Sequence, residues 1–335
     1  MSSLNSPSPE LSIVVPIYNE VENLPVLHSR VQAVCEKLGM SYELVLVDDG
    51  SSDGSWELIE ALHGENDRVV GVRLSRNFGH QVCLTAGLEL CRGELVVMMD
   101  ADLQDPPELI PKLIAKQREG FDIVYAVRSE RRGESFFKKA TAALFYRVLR
   151  RLTAINIPMD TGDFRLITRQ ALNSLLSIRE RSRFLRGLFS WVGYRSVGVP
   201  YKRAARHKGE TKYPLRKMLH LAKDGITSFS TIPLQLATYM GFLASFVGFF
   251  YGLSVLRNWY MGSTVQGWAS LAIITLFFGG IQLFTLGILG EYVGRIFEEV
   301  KQRPLYFTRE VLRSGEKEQT VANAKKRSAR KKLSS

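Results

Sequence analysis

Val96-Val97-Met98-Met99-Asp100-Ala101-Asp102-Leu103-Gln104-Asp105-Pro106-Pro107 is an apolar run that stops abruptly at two carboxylates spaced i, i+2. A short apolar run bounded by polar residues reads as a buried strand. In an open α/β sheet, ligands sit beyond the carboxyl ends of the strands. Alternate residues of an extended segment point the same way, so Asp100 and Asp102 can face one cation. Oxygen-only donors suit Mg2+ or Mn2+, held by one or two carboxylates together with substrate phosphates. Asp105 stands just before Pro106, with Glu108 in the next turn, and is expected to cap the following helix. That leaves Asp100 and Asp102 as the candidate metal ligands.

The same alternation extends in both directions. Leu11–Pro16, Tyr42–Val47, Val69–Leu74, Glu94–Met99 and Phe121–Val127 read as strands. Between them, Glu22–Leu38, Ser55–Leu62, Phe78–Cys91 and Pro106–Glu119 read as helices. Alternating strands and helices predict a mostly parallel sheet flanked by helices, with right-handed crossovers. Three strand ends, at Tyr18/Glu20, Asp48/Asp49 and Asp100/Asp102, then share one acidic rim. The first strand lacks both the G-x-G-x-x-G turn and the G-x-x-x-x-G-K-[ST] loop, so the site does not cradle phosphates on glycines. Met159–Leu166 reads as a compact polar-glycine turn before a helix at Arg169–Leu176.

Two later segments are of another kind. Pro233–Leu256 and Val265–Leu289 contain no charged residue. As helices of 24 and 25 residues, each reaches about 36 Å, enough for a hydrocarbon core of about 30 Å. Trp259, Tyr260 and Trp268 flank the short connection, as aromatics do at a membrane–water interface. Basic residues gather before the first segment and after the second, which predicts a hairpin with both ends cytoplasmic. A basic amphipathic stretch at 133–155 reads equally as a membrane-surface helix or a core-facing one.

The formal net charge is +12, from 45 Lys and Arg against 33 Asp and Glu. Ser314–Ser335 holds seven of those cations against two Glu and is too poor in apolar residues to fold alone. Cys35, Cys83 and Cys91 sit among apolar residues and read as buried thiols, not as a disulfide or zinc framework. Met1–Glu10 has neither the basic start nor the apolar run of a signal peptide. The expected division is a flexible N-terminus (1–9), a cytoplasmic catalytic domain (10–210) and a juxtamembrane amphipathic helix (211–232). Transmembrane helices at 233–256 and 265–289, a cytoplasmic return segment (290–313) and a disordered basic tail (314–335) follow.

An acidic, metal-binding rim on a membrane-tethered domain suits a nucleotide-sugar donor, whose diphosphate a cation can bridge. The acceptor should then lie at the bilayer, and Arg128, Arg206 and Lys208 are candidates to hold its phosphate. A phosphate monoester has a second pKa of roughly 6 and is already a strong anion at neutral pH. No nucleic-acid partner is expected.

Four stretches carry a resemblance: Val15-Pro16-Ile17-Tyr18-Asn19-Glu20, Val47-Asp48-Asp49-Gly50-Ser51, Asp100-Ala101-Asp102-Leu103-Gln104-Asp105-Pro106 and Gly162-Asp163-Phe164-Arg165-Leu166. In this order, followed by a two-helix hairpin, they resemble glycosyltransferase family 2, and within it the polyisoprenyl-phosphate glycosyltransferases. The resemblance implies a GT-A fold and inverting transfer from a nucleotide sugar to undecaprenyl or dolichyl phosphate. It also implies a homo-oligomer, up to a tetramer. By the same resemblance Pro16, Tyr18 and Glu20 border the base and ribose, and Val47 and Asp49 contact the base. Asp100, Ala101, Asp102 and Gln104 hold diphosphate and metal, Arg128 approaches the phosphates, and Asp163 stands at the reaction centre as base or as positioner. Mannose synthases of the family commonly hold a small residue where this chain has Asp163, so UDP-glucose is favoured over GDP-mannose. A processive polysaccharide synthase would need more spans and a Gln-x-x-Arg-Trp motif, which Phe184–Trp191 does not supply. An inert scaffold would have no use for a repulsive acid pair.

Overall fold

The computed structural model describes residues 8–129, 161–181, 183–201, 227, 230–262 and 267–314. The amphipathic stretch 133–155, Arg206, Lys208, most of 211–232 and the tail beyond Ser314 lie outside the described residues.

The described residues fall into two compact units. The first is built in chain order from β1 (Leu11–Ile17), α1 (Leu24–Leu38), β2 (Tyr42–Asp48), α2 (Ser55–Glu65), β3 (Val69–Leu74), α3 (His80–Leu90) and β4 (Leu95–Met98). A single turn of 3-10 helix at Pro107–Leu109 leads into α4 (Ile110–Arg118), then β5 (Ile123–Arg128), β6 (Thr161–Thr168), α5 (Arg169–Ser177), α6 (Leu185–Trp191) and β7 (Ser196–Tyr201). The strands form one sheet in the order β7-β5-β6-β4-β1-β2-β3, with an eighth strand, β8 (Thr308–Leu312), beyond β3. The pairs β1–β2, β1–β4, β2–β3 and β5–β7 are parallel; β4–β6, β5–β6 and β3–β8 are antiparallel. The sheet is therefore mostly parallel and flanked by helices, as expected.

Burial explains the pattern of the central strands. Every residue of β1 and β2 is buried, so both read as mainly apolar runs instead of alternating ones, with Ser12, Glu43 and Asp48 as buried polar exceptions. Pro16 is tolerated because the β1–β4 pairing ends at Val14, before the proline. Helix α3 packs on β1 and β2, and Gly87 permits the tight approach: a Cβ there would stand 2.4 Å from Val14 Cγ1 and 2.9 Å from Val47 Cγ2.

The structure corrects two expectations. Residues 161–168 form a strand, β6, where a turn was expected; its buried charges, Asp163 and Arg165, disguise a segment whose Phe164, Leu166 and Ile167 have no exposed surface. Asp105 does not cap the helix: it is fully buried and accepts the hydroxyl hydrogen of Tyr201. Within 290–313, the first part continues a helix and the last part contains β8.

The second unit consists of α7 (Ile232–Tyr260) and α8 (Trp268–Lys301), both long and apolar enough to cross a membrane. Their large apolar side chains, among them Tyr239, Phe242, Phe249, Leu276 and Leu283, are exposed. That much uncovered apolar surface is far more than a soluble monomer carries. At the base of the pair, the Tyr292 hydroxyl donates to the Ser230 carbonyl at 2.7 Å. Helix α8 is longer than the charge-free segment because Glu291, Arg295, Glu298, Glu299 and Lys301 fill its last three turns. Its 34 residues span about 51 Å, and the charged end extends beyond the apolar length.

Candidate active site

Strands β1, β2 and β4 are parallel, so their C-terminal ends share one edge of the sheet. Strand β6 runs the other way, and its N-terminal end meets the same edge. The β4–β6 register pairs Val97 with Leu166 and Met98 with Arg165. Two residues further on, the same register sets Asp100 opposite Asp163. Two acids far apart in sequence are thus brought together by strand pairing.

Between them stands His80, the first residue of α3. Its Nε2 is 3.2 Å from Asp163 Oδ2 and 3.5 Å from Asp100 Oδ1. Arg186, on α6, grips Asp163 with two donors: Nε to Oδ1 at 2.8 Å and a terminal nitrogen to Oδ2 at 3.2 Å. Burial alone would raise the Asp163 pKa, but the Arg186 charge and the bonds from His80 and Arg186 hold it well below the usual carboxylate range. Burial likewise pulls His80 down, yet the Asp163 hydrogen bond and the charges of Asp100 and Asp163 raise it to about 9. Asp100 is pushed up to about 6 by burial and by its acidic neighbours, against the opposing pull of His80.

The loop after β4 is shaped to present its acids. Asp102 Oδ1 accepts the Gln104 amide at 3.1 Å, closing a local turn. Leu103 has φ +59, which is strained for a branched side chain, and is held there by burial of that side chain in the core. Ala101 is buried beside it, and Asp100 and Asp102 stay partly exposed. Behind the loop, Asp105 and Tyr201 are joined, and Arg128 bonds Tyr201 from the end of β5.

A divalent cation fits this set. Asp100 Oδ1 is buried without a hydrogen-bond donor, and His80, Asp100 and Asp163 offer ligand atoms within 4.8 Å of one another. Two carboxylates and an imidazole are suitable donors for Mn2+ or, with Asp102 as a further oxygen donor, for Mg2+.

Not every residue singled out in the sequence faces this rim. Tyr18 is exposed at the end of β1. Pro16 is buried, and Glu20 accepts the Asn23 side-chain amide at 2.6 Å. Val47 has no exposed surface. Asp49 is buried, and its two oxygens accept the Phe78 and Gly79 amides at 2.7 and 2.9 Å. Asp49 thereby fixes the loop that delivers His80. Gly50, at φ +73, lets the two loops touch: a Cβ there would lie 2.9 Å from backbone atoms of Arg76 and Asn77. Asp53 caps α2 through the Ser55 amide at 3.0 Å. His80 and Arg186 were not singled out in the sequence. His80 had a usable signal, a polar loop after the third strand that must end on the same rim. Arg186 had none.

Comparison with known proteins gives a consistent picture. Residues 12–176 match the family described as Glycosyl transferase family 2. An uncharacterized glycosyltransferase of Bacillus subtilis (strain 168) is 50% identical over 298 residues, covering 89% of this chain and 92% of that protein. A prophage bactoprenol glucosyl transferase homolog of Escherichia coli (strain K12) is 40% identical over 303 residues, covering 90% of this chain and 99% of its own. Among solved structures, a glucosyl-3-phosphoglycerate synthase from Mycobacterium tuberculosis aligns with 20% identity and a TM-score of 0.44, over 65% of this chain and 78% of that one. By its matched residues and by relatives of this identity along nearly the whole chain, the protein belongs to glycosyltransferase family 2.

Proposed function

We propose that this chain transfers glucose from UDP-glucose to a polyisoprenyl phosphate, undecaprenyl phosphate in a bacterial membrane, with inversion at the anomeric carbon. The observation that carries the reading is the meeting of Asp100, Asp163 and His80 at one rim, in a chain that also bears two apolar helices of membrane-spanning length. Relatives named for glucosyl transfer to bactoprenol support the substrate pair.

In this reading Asp100 and Asp102 hold Mg2+ or Mn2+, with His80 within reach of the same ion. When bound, the cation neutralises charge developing on the departing diphosphate. The exposed ring of Tyr18 borders the nucleotide. An acceptor phosphate oxygen attacks the anomeric carbon as the bond to the diphosphate breaks, and the electron pair leaves with the diphosphate. The acceptor is an anion already, so no side chain has to take a proton. Asp163, held ionised between Arg186 and His80, is a poor base and serves to position its neighbours. The hairpin is inserted between β7 and β8 of one sheet. Two crossings return the chain to the side it left, which supports a catalytic domain and both termini on one face, and the basic residues that flank the hairpin support the cytoplasmic one.

The test is transfer of label from UDP-glucose into a lipid extract when the purified full chain meets undecaprenyl phosphate. UDP-galactose, UDP-N-acetylglucosamine and GDP-mannose, run beside it, should give less product. Preferred labelling from GDP-mannose would overturn the choice of sugar, and no lipid product from any donor would overturn the function.

A further inference from the structure

Arg186 and His80 both contact a buried acid, Asp163. The Asp163 side chain is 8% exposed, whereas Arg186 and His80 keep 27% and 40% of theirs exposed. The pair is also built as one piece. His80 opens α3, and the next residue, Gln81, accepts the Leu185 amide at 3.2 Å, pinning the start of α6 to the start of α3. Arg186 follows Leu185 directly.

We infer that Arg186 is the seat of the acceptor's phosphate group; this inference rests on the transfer proposed above. The rim carries Asp100, Asp102 and Asp163, and a phosphate monoester arriving there as a dianion needs fixed positive charge to meet it. Arg186 brings a guanidinium to that rim, beside Asp163. A guanidinium presents a planar fork that suits phosphate as well as carboxylate. Asp163 fixes the plane and direction of that fork from below through two bonds. Arg186 therefore counts as a catalytic residue in direct contact with substrate, and Asp163 as the positioning residue beneath it. The step balances without a proton: the phosphate oxygen forms the new bond to the anomeric carbon, and the diphosphate leaves with the electron pair of the old one.

The test uses the full chain in detergent micelles, loaded with UDP, and farnesyl phosphate as a short acceptor with farnesol as its phosphate-free control. Affinity is read by calorimetry for wild type, Arg186→Ala, Arg186→Lys, Asp163→Asn and the Asp163→Asn/Arg186→Ala pair. Arg186→Ala should weaken farnesyl phosphate about 10- to 100-fold, as expected for loss of a charge-assisted bidentate contact. UDP-glucose and farnesol affinities should stay within about twofold, a change too small to represent a lost contact, and this also shows that the variant is folded. Arg186→Lys should recover part of the loss. The double variant decides between direct contact and action through the acid: Arg186→Ala must weaken farnesyl phosphate again when Asp163 is already asparagine. No further weakening there, or equal loss of farnesol or UDP-glucose, would overturn the inference. A wild type that forms glucosyl lipid while Arg186→Ala leaves farnesyl phosphate affinity unchanged would overturn it alone. A wild type that neither forms glucosyl lipid nor binds farnesyl phosphate more tightly than farnesol would overturn both readings.

Discussion

Asp49→Ala tests whether Asp49 holds a loop or reads a nucleotide. Its two oxygens accept the Phe78 and Gly79 amides at 2.7 and 2.9 Å, and the residue is 3% exposed. Burial lifts its pKa despite those amides. Removing the carboxylate leaves two part-buried N–H groups without an acceptor, at about 1 to 2 kcal/mol each, or roughly 2 to 4 kcal/mol together. For a domain of this size that lowers the unfolding temperature by roughly 5 to 15 °C. Asp49→Asn keeps one acceptor oxygen and should lose about half as much. The assay is thermal unfolding of the purified chain, with hydrogen exchange read at Phe78, Gly79 and His80. Those amides should lose protection while the α1 core keeps its own. If Asp49→Ala unfolds at the wild-type temperature with that loop still protected, and UDP-glucose affinity alone collapses, Asp49 contacts the base and the loop-holding argument is wrong.

Other outcomes follow from the same geometry. Asp102→Asn should abolish transfer with either Mg2+ or Mn2+, and EDTA should silence the wild type, because an amide is a poor ligand for a hard cation; full activity in chelator would refute the metal site. Asp163→Asn should lower turnover by the same factor at pH 6 and pH 8, since a carboxyl held well below its usual range stays ionised throughout; a deficit that closes at pH 8 would make Asp163 a base. Arg313→Ala should destabilise the chain by about 3 to 5 kcal/mol in chemical unfolding, because it strands Glu43, its buried partner at 2.9 Å; an unchanged midpoint would show that the pair contributes nothing. Ser263→Cys should react with an impermeant thiol reagent applied to intact cells, and Ser314→Cys should not; the reverse pattern would refute the proposed orientation.

The sheet was legible where strands are mainly apolar runs, as in β1, β2 and β3, despite Ser12, Glu43 and Arg73 within them. Continuous burial leaves a signal that no local competitor imitates. That Asp100 and Asp102 end such a run was legible too, and the structure sets Asp100 beside His80 and Asp163. Strand β6 was not legible, because its register depends on β4 and β5, and its Asp163 and Arg165 mimic a polar turn. Asp105 misled for a related reason: its position before Pro106 fits a cap, while its actual partner, Tyr201, lies nearly a hundred residues away. Arg186 was invisible because its role exists only once α6 has been pinned beside α3. Long-range pairing of single polar residues leaves no periodicity to read.

The placement of β8 sets a timetable for synthesis. Strand β3 leaves the ribosome early, but its outer neighbour follows only after both apolar helices have been made. At 5–20 residues per second, the roughly 230 residues between them take about 10 to 50 s. Through that interval the β3 edge presents unpaired amides and carbonyls, an invitation to aggregation that native sheets normally cover. Closure then brings Arg313 onto Glu43 and onto the Leu90 carbonyl, so the last strand locks elements made at the start. A chain cut before α7 would lose β8 along with the helices and leave that edge open for good. Joining residue 231 directly to residue 304 would instead delete the hairpin and keep the eighth strand. The hairpin of α7 and α8 is thus a detour within one sheet, and the sheet is complete only after both helices have been made.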